Sequence, residues 1–119
     1  MPAEPSGVDA TGESTSTFAG FQDLMDATYG ERDRGRGVPS TVAWLAEELG
    51  ELAQAVRKGT REQQVHELSD VLAWLASLAN QLGITFDEAV ARYANGCPGC
   101  TAVPCRCAGS EPTWRWQPR

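Results

Sequence analysis

The sequence lacks long apolar runs, an excess of basic residues and, with one exception, histidine. No stretch approaches the roughly 20 apolar residues of a membrane-spanning helix, and residues 1–17 have neither the basic start nor the apolar centre of a secretory signal. A formal net charge of −6 argues against nucleic-acid binding, which requires a basic surface. We therefore expect a cytoplasmic protein without membrane or nucleic-acid partners. A small phosphorylated ligand stays compatible with this charge, because a metal ion can join carboxylates to phosphates.

Cysteine occurs only between Cys97 and Cys107, so the cysteines form a local feature and not a framework for the fold. The 119 residues suffice for one domain with a modest core, which a second copy would enlarge. No segment alternates like a half-buried strand, so the predicted fold class is all-α. The composition predicts a flexible arm at 1–16, a helical domain at 17–96, and a cysteine knuckle with a tail at 97–119.

Capping residues and glycines set the bounds of four predicted helices. Thr17 and Ser40 are candidate N-caps of the first two helices. Thr60 and Thr85 each begin a capping-box pattern, which Gln or Glu completes three residues later. The predicted helices are about 18–29, 41–58, 61–82 and 86–95, ended by Gly30, Gly59, Gly83 and Gly96, with a charged loop at 31–39.

Two acidic pairs mark the second and third helices. Glu48 and Glu51 share one helix face, with Glu47 beside them, and Glu67 and Asp70 repeat the spacing on the next helix. The short connection between these helices predicts an antiparallel hairpin in which the two pairs meet. Clustered carboxylates have raised pKa values unless cations neutralise them, and such oxygen-rich sites suit Mg²⁺ or Mn²⁺. Spacing alone leaves open the alternative that these acids form a solvated helix face.

The residues around both pairs closely resemble the MazG-like branch of the all-α nucleoside triphosphate pyrophosphohydrolases. The resemblance covers about residues 21–93 and is carried by Trp44-Leu-Ala-Glu-Glu-Leu-Gly-Glu-Leu-Ala53 and Glu67-Leu-Ser-Asp-Val-Leu-Ala-Trp-Leu75. It implies a four-helix bundle completed by oligomerisation, as a homodimer or homotetramer. It also implies Mg²⁺-dependent hydrolysis of (deoxy)nucleoside triphosphates to a monophosphate and pyrophosphate, with removal of aberrant nucleotides as one role. The implied Mg²⁺ ligands are Glu48, Glu51, Glu67 and Asp70.

Other residues are candidates for catalysis or for binding the nucleoside. Glu47 borders the metal site without belonging to the four-acid pattern and is our candidate general base. Trp44 precedes Glu48 by four residues, so it is a candidate for stacking on a base, with core packing as the alternative. Asn80 is a candidate for contacting sugar or base, because it lies almost three turns after Asp70, with an exposed polar position as the alternative. We expect Trp74 in the core. His66 adjoins Glu67 but is expected to point elsewhere on the helix, as a structural or an exposed residue.

Basic residues are candidates for contacting phosphates. Lys58 and Arg92 are the two we select, although a cation near a helix C-terminus also complements the helix dipole. Further candidates are Arg57 beside Lys58 and the predicted loop's Arg32, Arg34 and Arg36.

The cysteines form two close pairs, Cys97-Pro-Gly-Cys100 and Cys105-Arg-Cys107. Four thiolates at this spacing fit a closed tetrahedral zinc site, and two disulfides or free thiols are the alternatives. A closed site would stabilise the C-terminus without taking part in hydrolysis.

Two other functions fit parts of the sequence. A di-iron carboxylate oxidase requires Glu-x-x-His on each of two helices, but His66 is the one histidine and precedes Glu67. A non-catalytic interaction protein would use the zinc knuckle and the tail containing Trp114 and Trp116 to bind a partner, and its acidic pairs would be solvated.

Overall fold

A computed structural model describes residues 15–108 of the chain. No strand occurs in that range, so the predicted all-α class is confirmed. The predicted arm lies almost entirely outside the described residues, as does the tail with Trp114 and Trp116. None of the helices between residues 15 and 108 is long and apolar enough to cross a membrane. The helices are α1 (Phe18–Arg36), α2 (Val38–Lys58), α3 (Arg61–Leu82) and α4 (Phe86–Val90), followed by a 3-10 turn at Ala91–Tyr93.

The chain divides into two compact units, of which residues 15–86 and 87–108 are described. In the first unit α3 packs against both α2 and α1, whereas α1 and α2 touch each other less. The second unit contains most of α4, the 3-10 turn and the cysteines. The domain bounds at 17–96 and 97–119 stay predictions.

The first helix is longer than predicted. We expected it to stop at Gly30, but α1 continues through the predicted loop to Arg36 and ends at Gly37, whose φ of 87° favours glycine. Gly30 is buried inside the helix, where a Cβ would collide with the Asp26 carboxylate. The glycine therefore makes room for a neighbouring side chain and does not end the helix. As a result, the arginines predicted in a loop lie on the last turns of α1.

The second helix begins earlier than predicted, so the assignment of Ser40 as its N-cap was wrong. Its N-cap is Gly37, and Pro39 lies in the first turn, where its fixed φ and missing N–H are tolerated. The predicted N-cap of α1 is confirmed, since Thr17 Oγ1 accepts a hydrogen bond from the Gly20 N–H at 2.9 Å.

The connection between α2 and α3 forms as predicted. Gly59 ends α2, and Thr60 and Gln63 make a complete capping box at the start of α3. The Thr60 N–H donates to Gln63 Oε1 at 2.8 Å, and the Gln63 N–H donates to Thr60 Oγ1 at 3.2 Å. Gly83 ends α3 with a φ of 70°. These local signals fix the turn of the hairpin that carries the acidic pairs and the far end of α3.

The fourth helix is shorter than predicted. The α-helical part ends at Val90 and continues as a 3-10 turn to Tyr93, before Gly96 with its φ of 90°. The predicted stop near Gly96 therefore marks the end of the helical region and not the end of an α-helix.

One chain covers its apolar stripes incompletely. The buried apolar side chains among residues 15–108 are Ala55, Val71 and Ala76. Contiguous exposed apolar surface commonly marks a site of association. The large apolar residues left exposed on α2 and α3 are Val42, Trp44, Leu49, Val56, Val65, Leu68, Leu72, Leu75 and Leu82.

Buried polar side chains hold α1 against the end of α3. Gln22 Nε2 donates to the Ile84 carbonyl at 2.8 Å, and Gln22 Oε1 accepts from the Phe86 N–H at 2.7 Å. Nearer α2, the fully buried Thr41 accepts from Gln81 Nε2 at 2.7 Å. Because buried polar groups are usually hydrogen-bonded in native proteins, these contacts help to position the start of α1 and the start of α2 relative to the end of α3 and the residues that follow it.

Candidate active site

The α2–α3 hairpin brings the four predicted metal ligands together. One carboxylate oxygen from each of Glu48, Glu51 and Glu67 lies within 4.8 Å of the others. A second group with the same spacing joins Glu67, Asp70 and a nitrogen of His66. Glu67 belongs to both groups, so Glu48, Glu51, Glu67 and Asp70 form one continuous set, which we name the carboxylate cluster.

Two oxygens of the carboxylate cluster have no partner. Glu48 Oε2 and Glu67 Oε2 are both buried and accept no hydrogen bond. A buried carboxylate oxygen without a partner costs free energy, and native proteins seldom leave one unsatisfied. A bound cation would satisfy both oxygens at once.

Glu48 and Glu67 also hold their protons more tightly than isolated glutamates. Burial is the largest cause that raises the pKa of Glu48 from its ordinary 4.5 to about 7. A hydrogen bond with Asp70 and the charges of Asp70, Glu51 and Glu67 raise it further. Burial also raises the pKa of Glu67, followed by the charge of Glu51, while His66 lowers it. The cluster offers only oxygen ligands, and its carboxylates repel one another. Both features fit a hard divalent cation such as Mg²⁺ or Mn²⁺.

His66 lies closer to the acids than predicted. It is exposed, as expected, but its Nε2 is 3.4 Å from Asp70 Oδ2. The expectation that it points away was wrong, because a residue four positions before Asp70 shares its helix face. The spacing was visible in the sequence and was missed.

A cleft of about 410 Å³ opens beside the carboxylate cluster at the turn end of the hairpin. Glu51 and Glu67 line it together with Lys58, the basic residue of this lining. The predicted phosphate-contacting lysine therefore shares a cleft with two of the predicted metal ligands. We name it the lysine cleft, and its lining is Glu51, Gln54, Ala55, Lys58, Gly59, Gln63 and Glu67.

A second cleft, of about 240 Å³, opens on the Asp70 side of the cluster. Arg36 in its wall pairs with the buried Asp33 at 2.7 Å, and its guanidinium carbon lies 4.7 Å from the ring centre of Trp74. The spacing of Asp33 and Arg36 in the sequence was a usable signal for their pairing, but not for a cleft. We name it the arginine cleft, lined by Tyr29, Arg32, Asp33, Arg36, Asp70, Ala73, Trp74 and Ser77.

Trp44 and Trp74 are not core residues. Trp74 is half-buried in the wall of the arginine cleft, so its assignment to the core was wrong. Trp44 is 46% exposed and stacks on Trp74, with ring centres 5.9 Å apart and planes 12° from parallel. The core-packing alternative for Trp44 is therefore wrong as well, and nearly half of this residue remains open to solvent.

Three other candidate residues belong to neither group of metal ligands and line neither cleft. Glu47 is exposed and belongs to neither of the two sets of acidic metal-ligand candidates. Asn80 Nδ2 donates to the Gln22 carbonyl at 3.2 Å, so this amide joins α3 to α1 and lines neither cleft. Arg34 pairs with Asp26 at 3.3 Å on the exposed side of α1.

Arg57 and Arg92 also lie outside the two clefts. Arg57 is exposed on α2. Arg92 belongs to the second unit, where its Nη1 donates to Tyr93 Oη at 3.1 Å.

The second unit contains a separate group of candidate metal ligands. The Sγ atoms of all four cysteines lie within 4.8 Å of one another, and no disulfide joins them. We name Cys97, Cys100, Cys105 and Cys107 the thiol cluster.

The fold and the first site thus define an all-α protein with a carboxylate centre suited to a hard cation. A family model for the MazG nucleotide pyrophosphohydrolase domain matches residues 36–96, which is more than half of the chain and includes both acidic pairs. The chain belongs to the MazG nucleotide pyrophosphohydrolase domain family, which supports such an activity in general. No curated protein and no solved structure matches the chain.

Proposed function

We propose that the protein hydrolyses (deoxy)nucleoside triphosphates to a monophosphate and pyrophosphate, with Mg²⁺ bound by the carboxylate cluster. The observation that carries this proposal is the pair of unpartnered buried oxygens on Glu48 and Glu67, within a cluster flanked by two clefts that each contain a basic side chain. Membership of the MazG family supports pyrophosphate chemistry on nucleotides.

Mg²⁺, when bound, neutralises charge on the phosphates and on the leaving pyrophosphate. The chain's own residues orient the substrate and move the proton. Glu47, exposed beside Glu48, takes a proton from the attacking water, whose oxygen bonds to the α-phosphorus. The bond from that phosphorus to the bridging oxygen breaks, and pyrophosphate leaves.

The clefts divide the substrate between them in this proposal. Lys58 in the lysine cleft contacts the phosphates, since a lysine beside two carboxylates that hold a metal can reach an anion on that metal. Arg32 in the arginine cleft is a second phosphate contact. The exposed face of the Trp44–Trp74 stack receives the base, because indole rings stack on bases of any type.

We also propose that the active form is a homodimer or homotetramer. The small buried core and the exposed apolar residues of α2 and α3 other than Trp44 support it, because a second copy would cover those residues. Light scattering during size-exclusion chromatography of the full chain measures the mass of the assembly. A monomer across micromolar concentrations would refute this part of the proposal.

The testing experiment is pyrophosphate release from a panel of standard and modified nucleoside triphosphates. Magnesium is omitted, not chelated, in the negative condition, so that other bound metals stay in place. Glu51→Gln is compared with Glu31→Gln, which removes an exposed acid of α1 that lines neither cleft. We expect magnesium-dependent release that is lost only in Glu51→Gln. No release by folded protein with magnesium would instead favour a non-catalytic interaction role.

The role of Glu47 is tested separately. Glu47→Gln is expected to abolish turnover while Mg²⁺ still binds, as followed by calorimetric titration. Lost Mg²⁺ binding would make Glu47 a ligand and not the base.

A further inference from the structure

The described part of the second unit, residues 87–108, has no apolar core of its own. None of residues 87–108 is buried, and Val103 is 82% exposed. So small a unit cannot gain its order from apolar burial and requires another cross-link, such as a disulfide or a structural metal. The thiol cluster is the feature around which its chain is arranged.

The sulfur atoms have the spacing of a tetrahedral metal site. Cys97 Sγ lies 3.6 Å from the Sγ atoms of both Cys105 and Cys107, and Cys100 Sγ lies 3.9 Å from that of Cys105. Zinc–sulfur bonds of about 2.3 Å place the sulfurs of a tetrahedral site about 3.8 Å apart. The observed separations therefore leave room for one ion at the centre of the cluster.

The backbone also stabilises charged sulfur. The Arg106 N–H donates to Cys100 Sγ at 3.2 Å, and the Cys107 N–H donates to Cys105 Sγ at 3.4 Å. Hydrogen bonds from backbone N–H groups favour thiolates, and the thiolate is the form that binds metal. Such outer contacts also orient metal ligands.

The turn that carries the first cysteine pair is closed by backbone contacts. The Thr101 N–H donates to the Cys97 carbonyl at 2.6 Å, and the Cys97 N–H donates to the Ala102 carbonyl at 3.1 Å. Gly96 precedes this turn with a φ of 90°, and a Cβ there would lie 2.8 Å from the Ala102 carbonyl oxygen. The turn holds Cys97 and Cys100 side by side through contacts that do not involve sulfur.

We propose that the thiol cluster binds one Zn²⁺ as a closed structural site that holds the second unit together. Four sulfur ligands favour zinc over hard cations, and four protein ligands leave no open position for substrate. Binding releases protons from the thiols and couples zinc to the folding of this unit. The hydrolysis assigned to the carboxylate cluster does not depend on this ion.

The test measures metal in the full chain, purified without chelators from cells supplied with zinc. Elemental analysis is expected to give one zinc per chain. Replacement by Co²⁺ is expected to give thiolate charge-transfer bands and the intense d–d bands of four-coordinate cobalt. Absence of both, or two disulfides found by mass spectrometry of freshly lysed cells under non-reducing conditions, would overturn the proposal.

Variants separate this site from the active site. Cys97→Ser and Cys107→Ser are expected to lose the zinc and the cobalt bands, while Glu51→Gln retains them. The cysteine variants are expected to keep magnesium-dependent pyrophosphate release. Zinc retained by both cysteine variants would refute the thiol ligands, and hydrolysis lost together with zinc would refute the purely structural role.

Discussion

The carboxylate cluster and the thiol cluster each gather four ligands from a short stretch of chain, but they differ in what surrounds them. The carboxylates lie on two long helices, and their donors are oxygens that line open clefts. The thiols lie on a tight turn and on the segment that follows it, in a unit without a buried residue between 87 and 108. The two helices can hold the acids in position without a metal. The segment that carries the thiols has few other contacts to order it. In our proposal the oxygen site therefore performs the chemistry and the sulfur site stabilises the second unit.

The largest expected effect is at the residue that joins the two carboxylate groups. Glu67→Gln should lower kcat/KM by more than about 100-fold, because losing a ligand exceeds the 10- to 100-fold cost of losing a group behind one. Steady-state pyrophosphate release measures it. Glu62→Gln, an exposed acid earlier on α3, is the control. An equal loss of kcat/KM in both variants would mean that the cluster has no special role. Loss of zinc from Glu67→Gln would mean that the two metal sites are not independent.

The next effect concerns the thiol cluster. Gly96→Ala should weaken zinc binding about 10- to 100-fold, a loss like that from disturbing groups around a metal, because its Cβ would meet Val103 Cγ2 at 2.5 Å in a backbone conformation that disfavours alanine. Competition with a chromophoric chelator measures the affinity.

Gly35→Ala is the matched control for that prediction. A Cβ at Gly35 meets nothing within 4 Å and lies on α1, so we expect unchanged zinc affinity and a gain of about 0.5–1 kcal/mol in stability. Wild-type zinc affinity in Gly96→Ala would show that the turn does not position the thiols.

A smaller effect is expected in the lysine cleft. Lys58→Ala should raise KM about 10-fold with little change in kcat, since a hydrogen bond to a charged group contributes about 1.5–3 kcal/mol. Arg57→Ala, next to it on α2 and outside both clefts, should change neither constant. If kcat falls and KM stays constant, Lys58 acts in the transition state and our assignment to ground-state phosphate binding is wrong.

The smallest effect is on stability against pH. Glu48 has a pKa of about 7 in the folded chain against 4.5 when unfolded. Its raised pKa means that the folded state favours the protonated acid. The stability that protonated Glu48 contributes to the folded state is fully present below pH 4.5, and it is lost as the pH rises through about 7. We expect the Tm of magnesium-free protein to fall by a few degrees across that window, and Glu48→Gln to reduce the fall.

Added Mg²⁺ should reverse that trend, because it binds the ionised cluster and stabilises the folded state more strongly as its concentration rises above its Kd. Thermal melts at constant ionic strength measure both effects. A Tm of wild-type protein that changes with pH as in Glu48→Gln would contradict the raised pKa.

Local signals predicted the hairpin and its acids well. The capping box of Thr60 and Gln63 and the spacing of Glu67 and Asp70 depend on residues three positions apart, which a helix brings together whatever the rest of the chain does. Gly30 misled the prediction of α1 because its tolerance inside the helix depends on where the Asp26 side chain lies.

Long-range contacts explain the other differences. The burial of Trp74 depends on what covers the α2–α3 face, and one chain covers it incompletely. The contact of Asn80 with Gln22 depends on how α1 packs on α3. Neither cleft was predictable, because each combines side chains from separate helical turns whose relative positions are set by packing.

The most direct test of the proposed chemistry follows the oxygen of isotopically labelled water during turnover. With magnesium and zinc-loaded protein, we expect the label in the nucleoside monophosphate and none in pyrophosphate, and we expect no labelled product from Glu51→Gln. Label in pyrophosphate or in inorganic phosphate would contradict attack at the α-phosphorus, and unchanged labelling by Glu51→Gln would contradict the carboxylate cluster as its site.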